Sequence, residues 1–251
     1  GIRSDMTPQV ARIDAHNLKR ECPTRLCYAG TILHTRGDAL QKSRSPMQIG
    51  AEIYGHSGIE SDLEVIRLML EMLAQSGLLD VHLDLGHVGI YRALSKQAGL
   101  TVAQETAMFD ILQRKANPEL QEFIANLKGS DAVKAMLLKL PDLSGDVSVL
   151  KRAQTIFAAA DQSVQNAIEE LNTIAEKLYL QFPSLPISFD LAELRGYHYH
   201  TGIVFAAFVP SVGREIARGG RYDNIGQVFG RARPATGFSA DLKMLASLSK
   251  T

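Results

Sequence analysis

The sequence predicts an α+β fold: an antiparallel sheet flanked by helices and interrupted by a helical insertion. Three observations carry this. Residues 47–54 alternate strictly, with Met47, Ile49, Ala51 and Ile53 on one side and Gln48, Gly50, Glu52 and Tyr54 on the other, the two-residue period of a strand. Residues 101–181 carry a helical period throughout. Strand patterns then resume beyond Pro183 and Pro186, which end the helical stretch.

Taken in order, Pro8 to Leu18 reads as a helix, with Val10, Ile13 and Leu18 at helical spacing, Thr7 as N-cap and Pro8 in the first position. Leu26–Thr35 and Pro46–Tyr54 read as strands joined by the polar loop Arg36–Ser45. Asp62–Leu73 is an amphipathic helix whose stripe is Leu63, Ile66, Leu70 and Leu73, and Val81–Gly86 is a strand. Within the helical block, Ser163–Leu180 aligns Ile168, Leu171, Ile174 and Leu178. Ile187–Leu194, His198–Val209 and Arg214–Arg218 are expected as strands, and Gly237–Leu248 as a closing helix. The expected division is a core domain of residues 1–100 and 182–251 with a helical insertion at 101–181.

At 251 residues and 45% hydrophobic content the chain can bury a sizeable core. Lys plus Arg and Asp plus Glu both number 27, so composition supplies no long-range attraction to a nucleic-acid backbone. No apolar run reaches the ~18 residues of a membrane span, and no signal peptide is visible. Cys22 and Cys27 are expected to be free thiols in a reducing compartment, the cytoplasm. The chain opens on Gly1-Ile2-Arg3 within a motif and without an initiator methionine, so a further N-terminal portion is expected to precede it.

The residues that carry chemistry concentrate in a few places. Gln48 and Glu52 share one face of a strand, where they could accept hydrogen bonds from an ammonium or an imidazole N–H; an exposed sheet face is the other reading. Asp5 and Thr7 precede the first helix, where Thr7 suits a cap better than Asp5 does. Arg195 lies in an aromatic-rich stretch and could grip a carboxylate bidentately or form a surface ion pair. A regular strand would place Tyr197, Tyr199, Thr201 and Ile203 on one face and His198, His200 and Gly202 on the other. Two histidines without a third ligand at a recognisable spacing do not make a zinc site, and no cofactor is expected. Gly219-Gly220-Arg221-Tyr222-Asp223 lacks the Lys-Ser/Thr of a phosphate loop and reads as a turn. Arg36, Lys42 and Arg44, partly balanced by Asp38, read as a solvated hairpin tip rather than a nucleotide grip.

Ile2 to Thr7, Tyr28-Ala29-Gly30, Gln48 to Gly55, Asp84-Leu85-Gly86-His87, Arg195 to Gly202, Gly219 to Asp223 and Gly237-Phe238 together resemble the catalytic core of class II histidyl-tRNA synthetases. The resemblance spans nearly the whole chain apart from the helical block. It implies a class II synthetase-like sheet and a histidine pocket formed by Asp5, Thr7, Gln48, Glu52, Arg195, Tyr199 and His200. Asp5 and Gln48 would hold the amino group, Glu52 and Tyr199-His200 would border the imidazole, and Arg195 would meet the carboxylate. The synthetase pattern has tyrosine where His200 stands.

The departures from that pattern bear on function. Where synthetases hold the ATP phosphates with two arginines, this sequence has His34 and Met244, and the glutamate after the first arginine is Arg36. Removing one stabiliser of developing charge typically costs about 3 kcal/mol, so adenylate formation is expected to fail. No anticodon-binding domain is expected after Leu248. This combination resembles the regulatory subunits of ATP phosphoribosyltransferase. That resemblance implies a non-catalytic protein partnered with a short-form catalytic subunit, in a commonly octameric hetero-oligomer, that activates the first step of histidine biosynthesis and takes part in feedback by free histidine. A histidyl-tRNA synthetase core fragment and a histidine-sensing module on another effector are the competing readings.

Overall fold

The computed structural model describes residues 1–36 and 43–249 of the chain. Asp38 and Lys42 of the expected hairpin tip lie outside the described residues. The chain forms two compact units, the first comprising residues 1–83, 199–201 and 205–251, the second residues 84–198 and 202–204.

In the first unit, α1 (Thr7–Arg12) leads into a wider π turn (Ile13–Leu18), and β1 (Thr24–Thr31) pairs antiparallel with β2 (Met47–Tyr54). The N-cap of α1 is Met6 rather than Thr7, which is the first helical residue. Thr7 does not cap because its own amide N–H is taken by the Asp5 carboxylate, 3.1 Å away, while its hydroxyl turns to the sheet. β2 pairs with β8 (Ala235–Asp241), and β8 with β7 (Glu215–Arg221), both antiparallel. The Gly219-Gly220-Arg221 segment is therefore strand, not turn. Gly219 is required by close approach: a Cβ there would stand 2.2 Å from the Gly237 carbonyl oxygen and 2.5 Å from the Phe205 ring.

Gly237-Phe238 likewise lies in β8, and only α9 (Leu242–Leu248) is helical in the stretch expected to form one helix. Apart from Phe238 the residues at 235–240 are small and suit either state, and the ladder to β2 and β7 decides for strand. α2 (Ile59–Gln75) is longer at both ends than its apolar stripe and buries Val65, Ile66, Met69, Leu70 and Leu73.

Two strands, β3 (His82–His87) and β6 (Ile203–Phe208), each run from one unit into the other. The second unit carries α3 (Val88–Gln97), α4 (Val102–Gln113), α5 (Asn117–Ala125), α6 (Asp131–Lys139), α7 (Ser148–Ile156) and α8 (Gln162–Gln181). A two-residue strand, β4 (Ser144–Gly145), breaks the helical run and pairs with β5 (Ile187–Asp190). Ile168, Leu171, Ile174 and Leu178 on α8 are all fully buried, as a single 3.6-period stripe requires.

The strand expected over His198–Val209 starts only at Ile203; residues 191–202 are turns. A regular two-faced strand through Tyr197–Gly202 is thereby ruled out. Tyr197 packs in the second unit, edge-on to Tyr91 at 5.1 Å, under the Arg92 guanidinium, with its hydroxyl on Glu105.

Candidate functional site

Strand β2 presents Gln48, Gly50, Glu52 and Tyr54 on one face, and that face is the buried one: Glu52 and Tyr54 are each 2% exposed, while Met47, Ile49 and Ala51 are only half-buried. An exposed polar sheet face is excluded. Two polar side chains survive burial there because each is hydrogen-bonded. Gln48 Oε1 accepts from the Met6 amide N–H at 2.8 Å, and its Nε2 donates to Asp5 Oδ1 at 2.9 Å. The start of α1 is thus stitched across β2 by backbone and side chain together.

Glu52 is the centre of the site. Its Oε1 accepts from Thr7 Oγ1 at 3.0 Å and from the Tyr28 hydroxyl at 3.2 Å, and its Oε2 accepts from the Tyr222 hydroxyl. Room for the carboxylate comes from Gly237, where a Cβ would fall 1.5 Å from Glu52 Oε2. Room for the Tyr28 ring comes from Gly50, directly opposite in the β1–β2 register, where a Cβ would lie 2.5 Å from the Tyr28 hydroxyl. The space beside Gly50 is therefore filled by the Tyr28 ring.

Burial dominates the electrostatics. It pushes the Glu52 carboxyl up to about 8, against the opposing pull of the Thr7 and Tyr28 hydroxyls, with the Asp5 charge adding to the rise. Burial and the Glu52 charge also hold Tyr28 and Tyr54 above the ordinary phenol range. Tyr199 is raised for the same reasons, with Asp5 adding to the effect. Tyr199 stacks on Tyr222 at 4.9 Å between centroids, and His200 meets Tyr199 edge-on at 5.2 Å. The Tyr54 hydroxyl is buried without a hydrogen-bond partner among the described residues. Such a group carries a free-energy cost that a polar ligand can relieve. The result is a cluster of aromatic rings packed around one buried carboxyl, groups chemically suited to N–H donors and a flat ring.

Of the seven residues singled out from sequence, Asp5, Thr7, Gln48, Glu52, Tyr199 and His200 belong to the first unit. Asp5, Thr7, Gln48 and Glu52 form one hydrogen-bonded set. Arg195 belongs to the second unit, where its Nε lies 3.2 Å from Glu193 Oε2 and its amide N–H donates to Glu193 Oε1 at 2.7 Å. Sequence reading gave no role to Tyr28, Tyr54, Tyr222 or Gly237. The register that sets Tyr28 opposite Gly50 was the available signal for the first; the others depend on β8 and on the segment after β7. Among the described residues no group of three or more His, Cys, Asp or Glu is placed to hold a metal ion.

A family model described as histidyl-tRNA synthetase matches residues 1–245. The chain belongs to the histidyl-tRNA synthetase family. Within it, the chain is 57% identical over 249 residues to the ATP phosphoribosyltransferase regulatory subunit of Thioalkalivibrio sulfidiphilus, covering 99% of this chain and 63% of that protein. The chain thus spans about three fifths of the length of the curated relatives it matches. Among solved structures, an ATP phosphoribosyltransferase regulatory subunit/histidyl-tRNA synthetase from Bacillus halodurans superposes with a TM-score of 0.87 at 28% identity, over 99% of this chain and 65% of that one. This fixes the class II synthetase-like α+β fold. The ATP phosphoribosyl transferase (HisG:HisZ) complex from Thermotoga maritima shares the fold at 21% identity and a TM-score of 0.73, over 96% of this chain and 81% of that one. Among the described residues no helix of this family member is long and apolar enough to cross a membrane.

Proposed function

We propose that this chain is the synthetase-like part of a non-catalytic ATP phosphoribosyltransferase regulatory subunit, and that its Glu52 pocket binds free histidine. The observation that carries the reading is the 57% identity, along almost the whole chain, to a curated regulatory subunit of that enzyme. Asp5 and Gln48 would hold the ligand's amino group, and Glu52 and Tyr199-His200 would border its imidazole, with Thr7 among the surrounding residues.

The positions where synthetases grip ATP support a silent role. His34 is exposed and its amide N–H donates to the Arg44 carbonyl. Met244 is 7% exposed on α9, and its Sδ accepts from Arg214 Nη2 at 3.1 Å. A thioether offers no charge-assisted bond to phosphate. The working assembly would be a cytoplasmic hetero-oligomer with the short catalytic subunit, octameric, and histidine would act by binding its assembly states unequally.

Two measurements test this. Mass photometry of the protein mixed with the short catalytic subunit should show a defined mixed assembly whose distribution shifts with histidine; two separate species at all concentrations would overturn the partner. A pyrophosphate-exchange assay with histidine and ATP should stay at background, and robust exchange would establish the competing synthetase reading.

A further inference from the structure

The stacked Tyr199 and Tyr222 rings are flanked in the chain by a polar network that does not touch Glu52 itself. Arg221, at the end of β7, is buried against Asp62 on α2, the two side chains being 8% and 3% exposed. Its Nε and Nη2 both donate to Asp62 Oδ2, at 3.1 and 2.8 Å. Nη2 also donates to the Gly58 carbonyl at 3.1 Å and to Ser61 Oγ at 2.9 Å, and Nη1 to the His56 carbonyl at 3.2 Å. This much anchors the first turn of α2.

One contact goes elsewhere. Arg221 Nη1 donates to Asp223 Oδ1 at 3.2 Å, and that same oxygen accepts the Ala235 amide N–H at the start of β8. Asp223 Oδ2 accepts from Thr201 Oγ1 at 3.1 Å, Thr201 Oγ1 accepts the Asp223 amide N–H at 3.1 Å, and the Thr201 amide N–H donates to the Arg221 carbonyl at 2.7 Å. Tyr222, which reaches Glu52, is the residue between Arg221 and Asp223. Tyr199, stacked on Tyr222, lies two residues before Thr201. The clasp therefore joins the two chain segments that carry the stacked rings.

We infer that Arg221, Asp223 and Thr201 are positioning residues of the pocket: the clasp fixes the Tyr199–Tyr222 stack, and so the Tyr222 hydroxyl, against the Glu52 carboxylate. A backbone turn alone would leave Tyr199 free to lean away, because residues 191–202 have no ladder to hold them. The network sets the ligand affinity of the site without contacting the ligand, an inference that rests on the pocket reading above.

The test compares Thr201→Val with Thr201→Ser, and adds Arg221→Lys. Three readouts are taken: thermal unfolding, histidine affinity by calorimetry, and the pH titration of the Glu52 carboxyl carbon by NMR. Thr201→Val should unfold within a few degrees of the parent, bind histidine about tenfold more weakly and move the Glu52 titration by about half a unit or more. Thr201→Ser should restore both, since only the hydroxyl is needed. Arg221→Lys should act in the same direction and further; if it does not fold, the Thr201 pair alone decides. A Val variant that binds histidine as the parent does, with the Glu52 titration unmoved, would reduce the clasp to a structural tie and overturn the inference. Should the parent protein not bind histidine at all, the ligand reading falls, and the Glu52 titration still judges the positioning role by itself.

Discussion

Replacing Glu52 by glutamine probes the energetics of the site without altering its size. The carboxyl titrates near 4.5 when unfolded and is pushed up to about 8 in the folded protein, chiefly by burial. Between those two values the folded state holds a proton that the unfolded state has lost, so stability falls as pH rises. The contribution is intact below pH 4.5 and is lost as pH climbs through 8. At about 1.4 kcal/mol per pKa unit, the whole window amounts to about 5 kcal/mol, a large share of the ~5–15 kcal/mol stability of a typical domain. Glutamine cannot ionise, and its carbonyl oxygen can still accept from Thr7 and Tyr28. Urea unfolding followed by circular dichroism, chosen because the chain has no tryptophan, should therefore find Glu52→Gln within about 1 kcal/mol of the parent at pH 5 and about 3–5 kcal/mol more stable at pH 9. Parallel stability curves for parent and variant between pH 5 and 9 would refute the assignment of this slope to Glu52.

Three further outcomes follow from the geometry. Gly237→Ala should destabilise by about 3 kcal/mol in chemical denaturation and abolish histidine binding, because its Cβ would overlap Glu52 Oε2; an unchanged midpoint would show that the carboxylate can sit elsewhere. Arg233→Met should cost about 3–5 kcal/mol, since it strands the buried Asp14 carboxylate that Arg233 Nη1 holds at 2.9 Å; thermal unfolding at pH 7 measures it. Glu52→Ala should weaken histidine binding by more than about tenfold by leaving a ligand group unpaired, and calorimetry giving the parent's affinity would remove that residue from the pocket.

Where side chains repeat with one unambiguous period, the chain was readable before it was folded. The α8 stripe of Ile168, Leu171, Ile174 and Leu178 is buried as its spacing requires, and Met47–Tyr54 is the strand that its alternation predicts, although its polar face is the more buried one. That Gln48 and Glu52 share a strand face was legible too, whatever that face packs against. Local pattern failed where small residues suit several states: Gly219–Arg221 became strand through its ladder to β8, and Gly237–Asp241 through the ladders of β8 to β2 and β7.

Tertiary structure alone decided which face of β2 is buried. Both faces carry apolar residues, and it is α1, tied by Met6 and Asp5 to Gln48 and by Thr7 to Glu52, that covers the polar one. Those partners are 42 to 45 residues apart in the chain. The sequence determined by itself which groups could hydrogen-bond and at what local spacing; which of them meet, and how strongly burial then raises Glu52, is set by long-range packing. Desolvation depends on everything that surrounds a group, and no short window of sequence contains that.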